Sequence, residues 1–181
     1  FDARLKEVYL SDKAVEDQKK RDAVIIDEFV RLFGDNDSIE LFSAPGRTEV
    51  GGNHTDHNHG KVLAASVDLD TVAAAAKRDD GIIVEKSFKF DALEVDISDL
   101  EVHTEEFGKS SGLIRGMCAG FKERGYNIGG FNAASMSRVL SGSGLSSSAA
   151  YEVLIGTILN HLYNDGKVSP VEVAKIAQYA E

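Results

Sequence analysis

The sequence of 181 residues has one cysteine, two prolines and no tryptophan. With Cys118 alone, the chain can form neither an internal disulfide nor a cysteine-based zinc site. A reducing, cytoplasmic setting is the expectation that follows. Long apolar runs are missing too: none approaches the roughly 18 residues of a membrane-spanning helix, so no membrane contact is expected. No basic-then-apolar start suggests a signal peptide. Positive charge is scarce, with 20 Lys+Arg against 30 Asp+Glu and a formal net charge of −10. An acidic surface of this kind repels phosphate backbones, which disfavours nucleic acid as a partner. A local nest of backbone N–H groups can still hold a small phosphate against that overall sign. The chain starts at Phe1 rather than Met and stops at Glu181 inside a helical pattern, as expected of a chain cut at both ends.

What remains suffices for a folded domain. Hydrophobic residues make up 43% and aromatics 8%, which excludes general disorder. At roughly 150 residues per domain, the length fits one domain, or one with an appendage. Residues 11–33 read as a helix, capped by Ser11 and stopped by Gly34, with Ile25, Phe29 and Phe33 at helical spacing. Residues 39–44 read as a strand running into a Pro45-Gly46 turn. Strands follow at 62–67, 71–76, 82–86 and 93–97. Ser111 is placed to cap a helix closed by Gly125, and 131–139 reads as a strand. A helix follows with Ala149, Val153, Leu154, Ile158 and Leu162 on one face. The last helix opens on Ser169-Pro170-Val171-Glu172, the capping-box spacing with proline at the first helical position. Strands and helices mix without regular βαβ alternation, so the fold class expected is α+β.

Two polar loops carry the chemistry. The first, Ser141-Gly142-Ser143-Gly144-Leu145-Ser146-Ser147-Ser148-Ala149-Ala150, lies between a strand and an amphipathic helix. Its glycines let a ligand approach the backbone, and its serines place N–H groups at a helix N-terminus that favours an anion. It follows P-loop logic without the P-loop sequence, which is absent from the chain. Its bland reading is a flexible loop before a well-capped helix. The second loop occupies 46–60, with Arg47, Asn53, His54, Asp56 and His57 among its polar residues. Arg47, always charged, suits the anionic oxygens of a phosphoryl transfer. His54 and Asp56 suit sugar hydroxyls. A solvated loop is the alternative, and His54, His57 and His59 near Asp56 leave a metal site as a third.

Ala44-Pro45-Gly46-Arg47 with His54-Thr55-Asp56, and Gly144-Leu145-Ser146-Ser147-Ser148-Ala149-Ala150, resemble the two motifs of the GHMP small-molecule kinases, within them the galactokinase family. The resemblance runs from about Ile39 to the end. It implies ATP-dependent phosphorylation of galactose at its 1-hydroxyl, with Mg²⁺. It implies an N-terminal α+β domain of the ribosomal-protein S5 domain 2 type, a mixed sheet packed with helices. Residues 1–181 would be most of that sugar- and ATP-binding domain, without the family's C-terminal ferredoxin-like domain. By the same resemblance, Arg47 is the catalytic arginine, and Asn53, His54 and Asp56 contact the sugar. Residues Gly142, Ser143, Gly144, Leu145, Ser146, Ser147, Ser148 and Ala149 cradle the ATP phosphates, and Ser148 and Glu181 hold the Mg²⁺. For the base, Ser110 and Ser111 fall in the region where the family contacts adenine.

Asn53 stands where the family usually has glutamate, which keeps open a galactosamine derivative or galacturonate as the sugar. Thr48-Glu49-Val50-Gly51 replaces a more apolar run, and Leu140 replaces a common proline. A rival of another class is a galactose- and ATP-binding sensor without catalysis. The family's aspartate that acts on the sugar hydroxyl lies beyond Glu181, so the chain by itself is expected to turn over little. A monomer or weak dimer is expected. Cys118 reads as core, Asp79-Asp80 as a turn, Glu105-Glu106 as a solvated acidic patch, and His103 and His161 as lacking an evident partner.

Overall fold

The computed structural model describes residues 2–52, 59–140 and 144–181. The strands are Glu40–Gly51 (β1), Leu63–Lys77 (β2), Ile82–Ser87 (β3), Leu93–Asp96 (β4) and Phe131–Ser137 (β5). The helices are Asp2–Val8 (α1), Asp12–Phe33 (α2), Ser110–Glu123 (α3), Ser147–Asn164 (α4) and Pro170–Ala180 (α5). The strands form one mixed sheet in the order β1-β2-β5-β3-β4, antiparallel except where β3 meets β5. The α+β class expected from sequence is the one observed. Among the described residues, no helix is long and apolar enough to cross a membrane.

Helices cover both faces of this sheet. On one face, Ile25 and Phe29 of α2 pack on Val72, Ala74, Ala76 and Ala134. On the other, Ile114, Met117 and Phe121 of α3, Leu154 and Ile158 of α4 and Ile176 of α5 pack on Phe42, Ala73, Ala75, Ile83 and Phe131. Fully burying each large side chain stabilises the fold by about 1.5–3 kcal/mol. The run Ala73–Ala76 is a poor strand sequence by propensity. It lies in a strand because helices press on both of its faces, and small side chains let them approach.

Local capping rules hold at two of the three N-caps read from the sequence. The Ser11 hydroxyl accepts from Ala14 N–H, and Gly34, at φ 84°, ends α2. Ser169 accepts from Glu172 N–H at the start of α5, with Pro170 in its first turn. Ser111 is a correction: α3 begins at Ser110 with Lys109 at its N-cap and no capping side chain, so Ser111 is helical. α1 had no sequence signal.

The strands also depart from expectation. β1 does not stop at Ala44; it continues through Pro45, Gly46 and Arg47 to Gly51, paired with β2. Proline is tolerated because β1 is an edge strand and a register shift falls between Pro45 and Arg47. The two strands expected at 62–67 and 71–76 are one: β2 pairs with β1 on both sides of a register shift, where residues 67–69 lie between the paired Ser66 and Asp70. Asp70 is the polar lock of this region. Its carboxylate accepts from Arg21 Nη2 at 2.5 Å, Tyr9 Oη at 2.6 Å and Ser43 Oγ at 2.8 Å, joining the segment between α1 and α2, α2 itself, β1 and β2.

Candidate active site

The two polar motifs, a hundred residues apart in sequence, meet in space. Arg47 N–H donates to the Leu145 carbonyl at 3.2 Å, stitching β1 to the loop ahead of α4. Gly46 permits the approach: a Cβ there would lie 3.0 Å from that same oxygen and 3.1 Å from Val139 Cγ2. The Arg47 side chain is exposed beside this junction, on a strand rather than in the loop expected for it.

Gly144 has φ 75°, and Ser146 sits in the left-handed region at φ 55°, ψ 63°. For a residue with a Cβ, that conformation costs about 1–2 kcal/mol, and such strain gathers at ligand-binding loops. Ser146 O accepts the first helical bond, from Ala150 N–H at 3.0 Å. No side chain caps α4. The N–H groups of Ser147, Ser148 and Ala149 at the helix start lack intrahelical acceptors, and with the helix dipole they favour an anion there.

Ser148 Oγ donates to Glu181 Oε1 at 2.9 Å. The hydroxyl and carboxylate read as a metal pair are thus adjacent, although 33 residues separate them. Glycines on α3 allow this. A Cβ on Gly116 would come 2.9 Å from Ala180 Cβ, and one on Gly120 would come 2.8 Å from Ile176 Cγ2. The end of α5 therefore lies close on α3, and Glu181 reaches the start of α4. One turn beyond Ser148, Glu152 is buried at 1% exposure, and its Oε1 has no hydrogen-bond partner among the described residues. Burial, then the charge of Glu181, pushes the Glu152 carboxyl up to about 7.

A cavity of about 530 Å³ opens beside the pair, and Glu181 forms part of its wall. Val102, Phe107, Leu113 and Tyr179 give it apolar sides. Arg115 braces the wall, donating from Nε to Glu106 Oε2 at 2.8 Å and from Nη1 to the Asp96 carbonyl at 3.0 Å. The Arg115 hydrogen bond holds the Glu106 carboxyl below its ordinary value, against partial desolvation. Glu106 is therefore half of an ion pair and not a solvated patch. His103 also has a partner, Asp99, at 2.9 Å, and His161 has Glu40 at 2.7 Å. Sequence reasoning missed this cavity. It pointed to Ser110 and Ser111, whereas α3 contributes Gly112, Leu113, Arg115, Gly116 and Ala119. The available signal was the four-residue spacing of Gly112, Gly116 and Gly120.

Asn53, His54, Asp56 and His57 lie outside the described residues, as do Gly142 and Ser143. The sugar contacts, two of the eight residues read as the phosphate cradle and most of the loop-histidine metal reading fall there. His59, within the described residues, is exposed at φ 60°. Among the described residues, no three His, Cys, Asp or Glu side chains group as a metal site.

The galactokinase galactose-binding signature matches residues 27–77, and the GHMP kinases N terminal domain matches residues 112–181. The chain belongs to the GHMP kinases. This GHMP kinase chain is 33% identical to the galactokinase of Bacillus subtilis over 157 residues, which is 84% of this chain and 40% of that protein. It is 36% identical to the galactokinase of Clostridium beijerinckii over 160 residues, 87% of this chain and 41% of that protein. The crystal structure of Lactococcus lactis galactokinase complexed with galactose matches it with a TM-score of 0.80 at 32% identity, over 88% of this chain and 41% of that one. The Methanococcus jannaschii mevalonate kinase shares the fold at a TM-score of 0.66 and 16% identity, over 81% of this chain and 47% of that one. The chain thus spans about two fifths of the length of the galactokinases it matches.

Proposed function

We propose that this chain is most of the sugar- and ATP-binding domain of a galactokinase, which transfers the γ-phosphoryl group of ATP to the 1-hydroxyl of galactose. The observation that carries this reading is the junction of the two motifs, where Arg47 N–H bonds to Leu145 O. That bond brings the backbone of Arg47 to the loop ahead of an anion-binding helix start, which supports a cationic side chain serving phosphoryl transfer there. The name of the Lactococcus lactis structure supports galactose as the sugar.

In this reading the cavity takes the nucleoside, and the phosphates run past Glu181 to the start of α4. The N–H groups of Ser147, Ser148 and Ala149 receive phosphate oxygens. Ser148 and Glu181 are hard oxygen donors and fit Mg²⁺, which favours one or two protein ligands together with phosphates. Such an ion would supply charge neutralisation for the phosphates. Arg47 adds positive charge where negative charge spreads over the transferring group. The O1–P bond forms as the bond from the γ-phosphorus to the bridging oxygen breaks; ADP leaves, and the proton of the 1-hydroxyl passes to the aspartate that the family resemblance puts beyond Glu181. Asn53, His54 and Asp56 hold the sugar hydroxyls.

The test is ADP release from the protein carrying this chain, measured with ATP and Mg²⁺, with and without galactose. Galactose-dependent ADP release is expected, and Arg47→Ala should lower kcat by about 10²–10³-fold. Release that does not depend on galactose, or an Arg47→Ala variant as fast as the parent, refutes the reading.

A further inference from the structure

Ser148 and Glu152 are four residues apart on α4, so their side chains share one face of the helix. Ser148 spends its hydroxyl on Glu181. Glu152 is buried, yet its Oε1 has no partner among the described residues, and the charge of Glu181 acts on it unfavourably. A buried acceptor left unpaired and a carboxylate in the field of a like charge are both costly. Neither helps α4 to pack, since Leu154, Ile155 and Ile158 already fill its core face. A divalent cation beside Ser148 and Glu181 relieves the repulsion, because its charge attracts both carboxylates.

We propose that Glu152 is a positioning residue of the cation site. It stands behind the Ser148–Glu181 pair, adds negative charge for the ion and fixes the orientation of Glu181. Partners of this kind, one step removed from a metal, typically govern affinity by 10–100-fold. The inference rests on the cation reading of Ser148 and Glu181 given under Proposed function.

The experiment titrates Mn²⁺, read by electron paramagnetic resonance, into the protein with ADP present. Glu152→Gln keeps the size and removes the charge. It should weaken Mn²⁺ binding roughly 10-fold and leave metal-free ADP affinity unchanged. Thermal unfolding without cation should show Glu152→Gln at or above the parent, because the variant relieves the repulsion. Parent-like Mn²⁺ binding by Glu152→Gln, with weakened binding by Glu181→Gln, overturns the proposal and leaves the cation reading standing. Mn²⁺ binding unaffected by either Glu181→Gln or Ser148→Ala, or absent from the parent, sinks the cation reading itself. If Glu152→Gln does not fold, Glu152→Asp is measured in its place and should bind Mn²⁺ several-fold more weakly than the parent. Failure of both variants to fold makes Glu152 a folding residue and overturns the proposal.

Discussion

Arg21 and Asp70 are both buried, and each is tolerable there only because of the other. Burial by itself pushes the Asp70 carboxyl up. Hydrogen bonds from Tyr9, Arg21 and Ser43, with the Arg21 charge, outweigh it and hold the carboxyl below its ordinary value. Its contribution to stability is therefore present above the ordinary carboxylate range, near pH 3.9, and is lost as pH falls through the lowered native value. Asp70→Asn should cost about 3–5 kcal/mol near neutral pH, because it strands a buried guanidinium. The gap between variant and parent in urea unfolding should close as the pH is taken below the carboxylate range. A gap that stays constant with pH would show that Asp70 acts by packing alone. Nothing in the sequence marked Asp70, since its three partners lie 27 to 61 residues away. Ser148 and Glu181, singled out in the sequence by motif, do meet, whereas Glu152 looked like any polar residue on an amphipathic helix.

Helix ends were the most legible elements, because a cap is a contract between residues three or four apart. Ser11 with Ala14 and Ser169 with Glu172 are of this kind. Strand ends were less so. β1 passes through Pro45-Gly46, a turn signal by local rules, because β2 pairs with it on both sides of the register shift there. Gly46 is where this matters for function. A methyl group there must displace the Leu145 carbonyl by a few tenths of an ångström, and that carbonyl belongs to the backbone of the phosphate loop. Gly46→Ala should raise KM for ATP on the order of 10-fold, as small misplacements of positioning groups do. The melting temperature should change little. An unchanged KM would mean that the loop position does not depend on the β1 contact.

The whole molecule is three layers, with α2 on one face of the sheet and α3, α4 and α5 on the other. Cys118 sits in the larger core at 0% exposure, and burial pushes its thiol up to about 12. The thiolate is the reactive form, so almost none is available at neutral pH. Alkylation of Cys118 by iodoacetamide should be negligible in the native protein and should track unfolding in urea. Asp70→Asn should bring labelling to lower urea. Rapid native labelling would show that α3 opens without global unfolding. From sequence alone followed the α+β class, the caps at Ser11 and Ser169, the core role of Cys118 and the residue types of both polar motifs. Each of these rests on neighbours within a turn or on a local pattern of polarity. Only the tertiary structure decided the strand order, the length of β1, the cavity beside α3 and the meeting of Ser148 with Glu181. Those depend on ladders and packing between residues far apart in the chain, whose energies no local window contains.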